Sequence, residues 1–62
     1  MNLRERVFVA LNTATENGYD MDGDEAMIAA DLLHCNADFE NLREDEKVDL
    51  QDYIREWQAS FL

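Results

Sequence analysis

Proline is absent from this 62-residue chain, and its only glycines, Gly18 and Gly23, stand close together beside Asn17 and the acidic run from Asp20 to Asp24. That cluster marks the one strong break in the chain. No run alternates Val, Ile and Thr with polar residues as a half-buried strand would. A chain of this length makes one domain, residues 1–62, and buries only about 60% of the surface its unfolded form exposes. The expected fold is all-α: a small three-helix bundle with a turn or short extra helix between helices 2 and 3.

Apolar spacing places the helices. Leu3, Val7, Leu11 and Ala14 share a face, with Phe8 and Ala10 beside it, which predicts a first helix over 3–16. Asn2 caps it with Glu5 completing a capping box, and Gly18 takes the left-handed position after its end, followed by an apolar contact from Tyr19. The second helix starts after Asp22 or Asp24, with Asp22 and Glu25 as a further capping box, and runs to His34 or Cys35. Met27, Ile28, Ala30, Leu32 and Leu33 form its apolar side. Phe39 and Leu42, in the segment that follows, are expected to plug the core. In the third helix Leu50, Ile54, Trp57 and Phe61 step by four, three and four residues, with Tyr53 alongside. Its start lies between Arg43 and Asp49; were Asp49 the cap, Val48 and Tyr53 would form a hydrophobic staple.

Fifteen acids against five bases give a net charge of −10. The charge is regional. Residues 1–15 hold Arg4, Arg6 and Glu5, a net of +1; the remainder holds fourteen acids and three bases, a net of −11. On the third helix Asp45, Asp49, Asp52 and Glu56 repeat the four, three, four rhythm of the apolar stripe, displaced to one flank. Lys47 and Arg55 are expected to point toward the other flank. At a rise of ~1.5 Å per residue these carboxylates recur every ~5 Å, near the spacing of phosphates along a nucleic-acid strand. Each like-charge pair costs an isolated helix about 0.2–0.5 kcal/mol. Asp20, Asp22 and Asp24 form a second acidic patch. The plain alternative is a solvated face that serves solubility.

Other chemistry fares poorly. Asp20, Asp22 and Asp24 match the first three ligand positions of a calcium loop, but its glycine then falls out of place and Asp31 stands where a bidentate Glu is needed. Aligning Gly23 with the required glycine puts Gly18 at the first ligand position. Asp31, His34 and Cys35 lack the second Cys or His segment of a zinc site, so no metal or cofactor is expected. His34 reads as a helix-end residue and Cys35 as a small buried hydrophobe. One His, one Cys, Ser60 and two Thr supply no nucleophile–base motif, and a bundle this short leaves little room for a substrate pocket of ~300 Å³. An enzyme is not expected, and five bases against fifteen acids disfavour direct nucleic-acid binding.

With 47% hydrophobic and 10% aromatic residues the chain is too apolar for disorder. No apolar run approaches the ~18 residues of a membrane span, Met1 to Arg6 open no signal-peptide core, and a lone cysteine suits a reducing compartment. A cytoplasmic location is expected.

The Asn2–Glu16 helix, the Asn17-Gly18-Tyr19-Asp20 turn and the segment from Asp38-Phe39-Glu40 to Trp57-Gln58 together resemble, in type and over the full length, the small acidic helical proteins of bacteriophages and mobile elements. These include anti-CRISPR proteins and other host-takeover inhibitors. The resemblance carries no family-specific motif and transfers no functional residue. It implies a binding protein, active in the host cell if phage-encoded; several such proteins occupy the basic groove of a nucleic-acid-handling target and stand in for phosphates. On this reading Asp45, Asp49, Asp52 and Glu56, with Asp20, Asp22 and Asp24, meet a basic protein surface. The alternative is a homodimerising structural or regulatory protein whose acids serve solubility, since Met1, Met21, Met27 and Phe61-Leu62 add apolar surface to a very short bundle.

Overall fold

A computed structural model describes residues 2–60, the Asp38 side chain excepted. Among those residues the order is α1 (Leu3–Glu16), α2 (Glu25–Cys35), a single 3-10 turn over Ala37–Phe39, and α3 (Glu44–Ala59), with no strand. The all-α three-helix bundle expected from the sequence is the fold observed. None of these helices is long and apolar enough to cross a membrane.

The caps explain the boundaries. Asn2 Oδ1 accepts the Glu5 backbone N–H at 2.9 Å. The Glu5 carboxylate does not close the box on the Asn2 backbone; it accepts from the Asn2 side-chain amide at 3.3 Å. At the other end Tyr19 N–H reaches Ala14 O and Gly18 N–H reaches Thr15 O, the paired bonds of a Schellman motif, with Gly18 at φ +91°. Tyr19 itself stays 66% exposed, so the backbone bonds rather than an apolar contact close this helix.

The second helix begins at Glu25 because Asp24 Oδ1, and not Asp22, accepts the Ala26 N–H at 2.9 Å. Its buried face is Ile28, Ala29 and Leu32. Met27 and Ala30, expected on that face, point outward, Met27 at 67% exposure. They lie about 100° and 200° around the helix from Ile28, and a single neighbour covers only one side. Glu44, Asp45 and Glu46 open α3, favourable to its dipole, and Glu46 reaches back to accept the Arg43 N–H at 3.1 Å. The helix therefore starts well before Asp49, and Val48 stays 65% exposed instead of stapling to Tyr53.

Leu50, Ile54 and Trp57 of α3 are buried and form the middle of the core. Val7 and Leu11 of α1 pack there, as do Ile28, Ala29 and Leu32 of α2 and Phe39 of the 3-10 turn, with Leu42 and Tyr53 half-buried against the cluster. Phe61, expected to continue the α3 stripe, and Met1 and Leu62 lie outside the described residues. Both α1 and α2 lie closely along α3, and their backbones come nearer to it than to each other.

Candidate functional site

The α3 row separates into two parts. Asp45, Asp49 and Asp52 are all exposed along the helix. Arg43 Nε lies 3.5 Å from Asp45 and Arg55 Nη1 lies 3.6 Å from Asp52, long contacts between side chains that are mostly in water. Pairs of that kind contribute little. Asp49 has no ion-pair partner among the described residues. Glu56 differs, because its Oε1 accepts from Arg4 Nη2 at 2.6 Å and Arg4 Nε at 3.0 Å. Within the row Asp49 alone has no ion-pair partner among the described residues, Asp45 and Asp52 carry long contacts exposed to water, and Glu56 is firmly engaged within the molecule. Nothing local signals this, since α1 brings Arg4 to the row only through tertiary packing.

Arg55 also departs from the sequence reading. Its guanidinium does approach Asp52, while its Nη2 and Nε donate to Glu25 of α2 at 2.8 and 3.2 Å. The two cross-helix pairs perturb their carboxylates in the same direction. Hydrogen bonds from Arg4 hold Glu56 below the usual carboxylate range, and those from Arg55 do the same to Glu25.

In the acidic loop two carboxylates serve the backbone. Asp20 Oδ1 accepts the Asp22 N–H at 2.9 Å, and Asp24 caps α2. Gln58, near the end of α3, donates its amide to Met21 O at 3.1 Å and Gly23 O at 2.8 Å, tying this loop to the bundle. Sequence reasoning passed over Gln58; its only signal was a polar residue directly after a core Trp. No group of three or more His, Cys, Asp or Glu residues converges among the described residues in a way that could hold a metal ion.

The basic side chains are largely occupied inside the molecule. Arg4 pairs with Glu56, Arg43 with Asp45 and Glu46, Lys47 with Glu44, and Arg55 with Glu25 and Asp52. The Arg6 guanidinium lies 5.4 Å from the Phe39 ring centre. Glu16, Asp20, Asp22, Asp31 and Glu40, like Asp49, have no ion-pair partner among the described residues. The uncompensated field at the surface is negative, and the α3 flank is its most regular part.

Between α1 and α2 lies an open groove of about 790 Å³. Ile28, Leu32 and Phe39 contribute to it from the core, Ala10 and Ala14 from α1, and Cys35 from the end of α2. This corrects two expectations. A short bundle does leave room for an open cavity larger than ~300 Å³, lined from α1 and α2. Cys35 is exposed, not buried, because it sits on the groove side of α2, where no element among the described residues covers it. His34 is exposed on the last turn of α2 and is not part of the groove lining. Compared with protein-family models, with curated proteins and with solved structures, the chain shows no significant match to any of the three.

Proposed function

We propose that this chain is a small acidic binding protein, not an enzyme, that inhibits a nucleic-acid-handling protein by occupying its basic surface. The observation that carries the reading is the exposed, regularly spaced set Asp45, Asp49 and Asp52 on one helix. A helix holds the three carboxylates at repeats of ~5 Å without further ordering, which suits a surface built to contact successive phosphates. Glu56 extends the row only by giving up Arg4. Asp20 and Asp22 add negative field from the loop, and Asp24 contributes through its cap. The reading is compatible with a cytoplasmic, phage-type inhibitor. Association of such a protein is steered by its field and weakens as salt shortens a Debye length of about 8–10 Å.

The test immobilises the protein, exposes it to bacterial lysate at low salt and elutes with a salt step, with D45N/D49N/D52N run in parallel. The expected result is one dominant basic, nucleic-acid-handling protein that the triple variant fails to retain, while the variant melts at the same or a higher temperature. Capture that survives the substitutions, or eluates without a dominant component, would reduce the row to solvated surface.

A further inference from the structure

We propose that the Asn17–Gly18 peptide is a site of spontaneous backbone modification, at which the asparagine converts to aspartate and isoaspartate at a rate set by opening of the cap that ends α1. The proposal is independent of the α3 row.

The chemistry needs an asparagine followed by a residue whose peptide nitrogen is unhindered. The Gly18 nitrogen gives up its proton to hydroxide and attacks the side-chain carbonyl carbon of Asn17. A new C–N bond closes a five-membered succinimide, the bond to the side-chain nitrogen breaks, and that nitrogen leaves as ammonia. Water then opens the ring at either carbonyl. One opening gives aspartate; the other gives isoaspartate, whose main chain runs through the former side-chain methylene. Nothing is oxidised or reduced.

The sequence and the fold single out this position. Of the asparagines, Asn2, Asn12, Asn36 and Asn41 precede Leu3, Thr13, Ala37 and Leu42, whose side chains crowd the attacking nitrogen, and Asn17 precedes glycine. The Asn2 and Asn12 side chains are also held in hydrogen bonds, to Glu5 and to the Trp57 indole. Asn17 is exposed, and open space surrounds Gly18 where a side chain would stand.

The folded backbone holds the reaction back. Asn17 sits at φ −83° and ψ 3°. Ring closure needs the Gly18 nitrogen to eclipse Asn17 Cβ about the Cα–C bond, and this ψ sets the two well apart. The rotation that brings them together leaves the allowed region used at helix ends. It also breaks the bonds from Gly18 N–H to Thr15 O at 3.1 Å and from Tyr19 N–H to Ala14 O at 3.0 Å. The reactive geometry is therefore reached only when the last turn opens, and helix ends open more readily than the core. The product feeds back on the cap. A new carboxylate stands at the negative end of the α1 dipole, between Glu16 and Asp20 in the chain. In isoaspartate the extra main-chain methylene puts Tyr19 N–H out of register with Ala14 O.

The test incubates the purified full-length chain at neutral and mildly alkaline pH, with and without guanidinium chloride sufficient to unfold it. Intact mass and peptide mapping follow the loss of ammonia and gain of water at each asparagine. Asp22–Gly23 passes through the same ring without a net change in mass, so it does not enter this reading. Position 17 should be modified ahead of the other asparagines and faster at the higher pH. The folded chain should react about tenfold or more slowly than the unfolded one, a factor that corresponds to ~1.4 kcal/mol of local opening. Asn17→Gln, which would have to close a six-membered ring, should show no mass gain at this site while circular dichroism reports an intact bundle. In the aged protein the Tyr19 amide hydrogen should exchange faster. The proposal is overturned by no mass gain at position 17, by an earlier gain at another asparagine, by equal rates in the folded and unfolded chains, by an undiminished gain in Asn17→Gln, or by unchanged Tyr19 exchange after modification.

Discussion

Arg4 and Glu56, 52 positions apart, meet through two hydrogen bonds to one carboxylate oxygen, so that the first turn of α1 is fastened to the last turns of α3. The same guanidinium lies 4.3 Å from the Phe8 ring centre, which orients it for both contacts. Arg4→Gln and Glu56→Gln should each lower the melting temperature at low salt, and the double variant should fall little further than either alone. Thermal melts across that cycle measure the coupling; additive losses would mean that the two side chains act independently. Because both groups are partly in water, the effect should fade as salt is raised.

The pH dependence follows from the direction of the shifts. Glu56 and Glu25 are more acidic in the folded chain than unfolded, so the unfolded state binds more protons as the solution is acidified. Their contribution is complete above the unfolded glutamate value of about 4.3 and is lost as pH falls through the lower folded values. Relief of general repulsion among the many carboxylates works in the opposite sense, so the informative quantity is a difference. The gap in melting temperature between wild type and R4Q/R55Q should be open at neutral pH and close in acid. A gap of constant size would sever the link between these pairs and the shifts.

Trp57 is nearly buried, and its indole Nε1–H donates to Asn12 Oδ1 at 3.0 Å, joining α3 to α1 at the edge of the core. Asn12→Ala should cost about 0.5–1.5 kcal/mol, the usual net value of one such bond. In a domain this small each kcal/mol shifts the melting temperature by roughly 4–8 °C. Trp57→Ala should cost about 3–5 kcal/mol, a large part of a total stability of ~3–9 kcal/mol. Denaturant titration followed by circular dichroism reads both changes.

Gln58 donates to two loop carbonyls, and Gln58→Ala leaves Met21 O and Gly23 O to water. The loss should be about 1–2 kcal/mol if both bonds carry ordinary weight. Amide hydrogen exchange offers the sharper reading: protection should fall over residues 19–24 while the middle of α3 is unchanged. A uniform loss along the whole chain would instead make Gln58 a general stabiliser of the bundle.

How much could be read beforehand depends on the range of the forces involved. The ends of α1 were legible because Asn2, Gly18 and the residues beside them act over three or four positions. The α3 stripe was legible because Leu50, Ile54 and Trp57 repeat at the helical period. Met27 was misplaced because α2 is short and apolar on more than one side, so composition alone could not choose its buried face. Cys35 reads as a core residue because small apolar thiols usually go there, whereas it lies exposed on the groove side of α2. The site was legible as a row of acids and illegible as an electrostatic surface. Glu56 and Arg55 find partners 52 and 30 positions away, and such pairings leave no trace in local spacing.

By itself the sequence determined what is local: helices bounded by their caps and by the single glycine-bearing break, an apolar stripe on each, and a negative excess that no arrangement of five bases could cancel. The tertiary structure alone decided which acids engage a base within the molecule and that a groove runs between α1 and α2. The reason is physical. Capping and periodicity act within a turn or two of helix, whereas ion pairing and helix contact depend on how three helices cross, and that is settled by the shapes of buried side chains acting together.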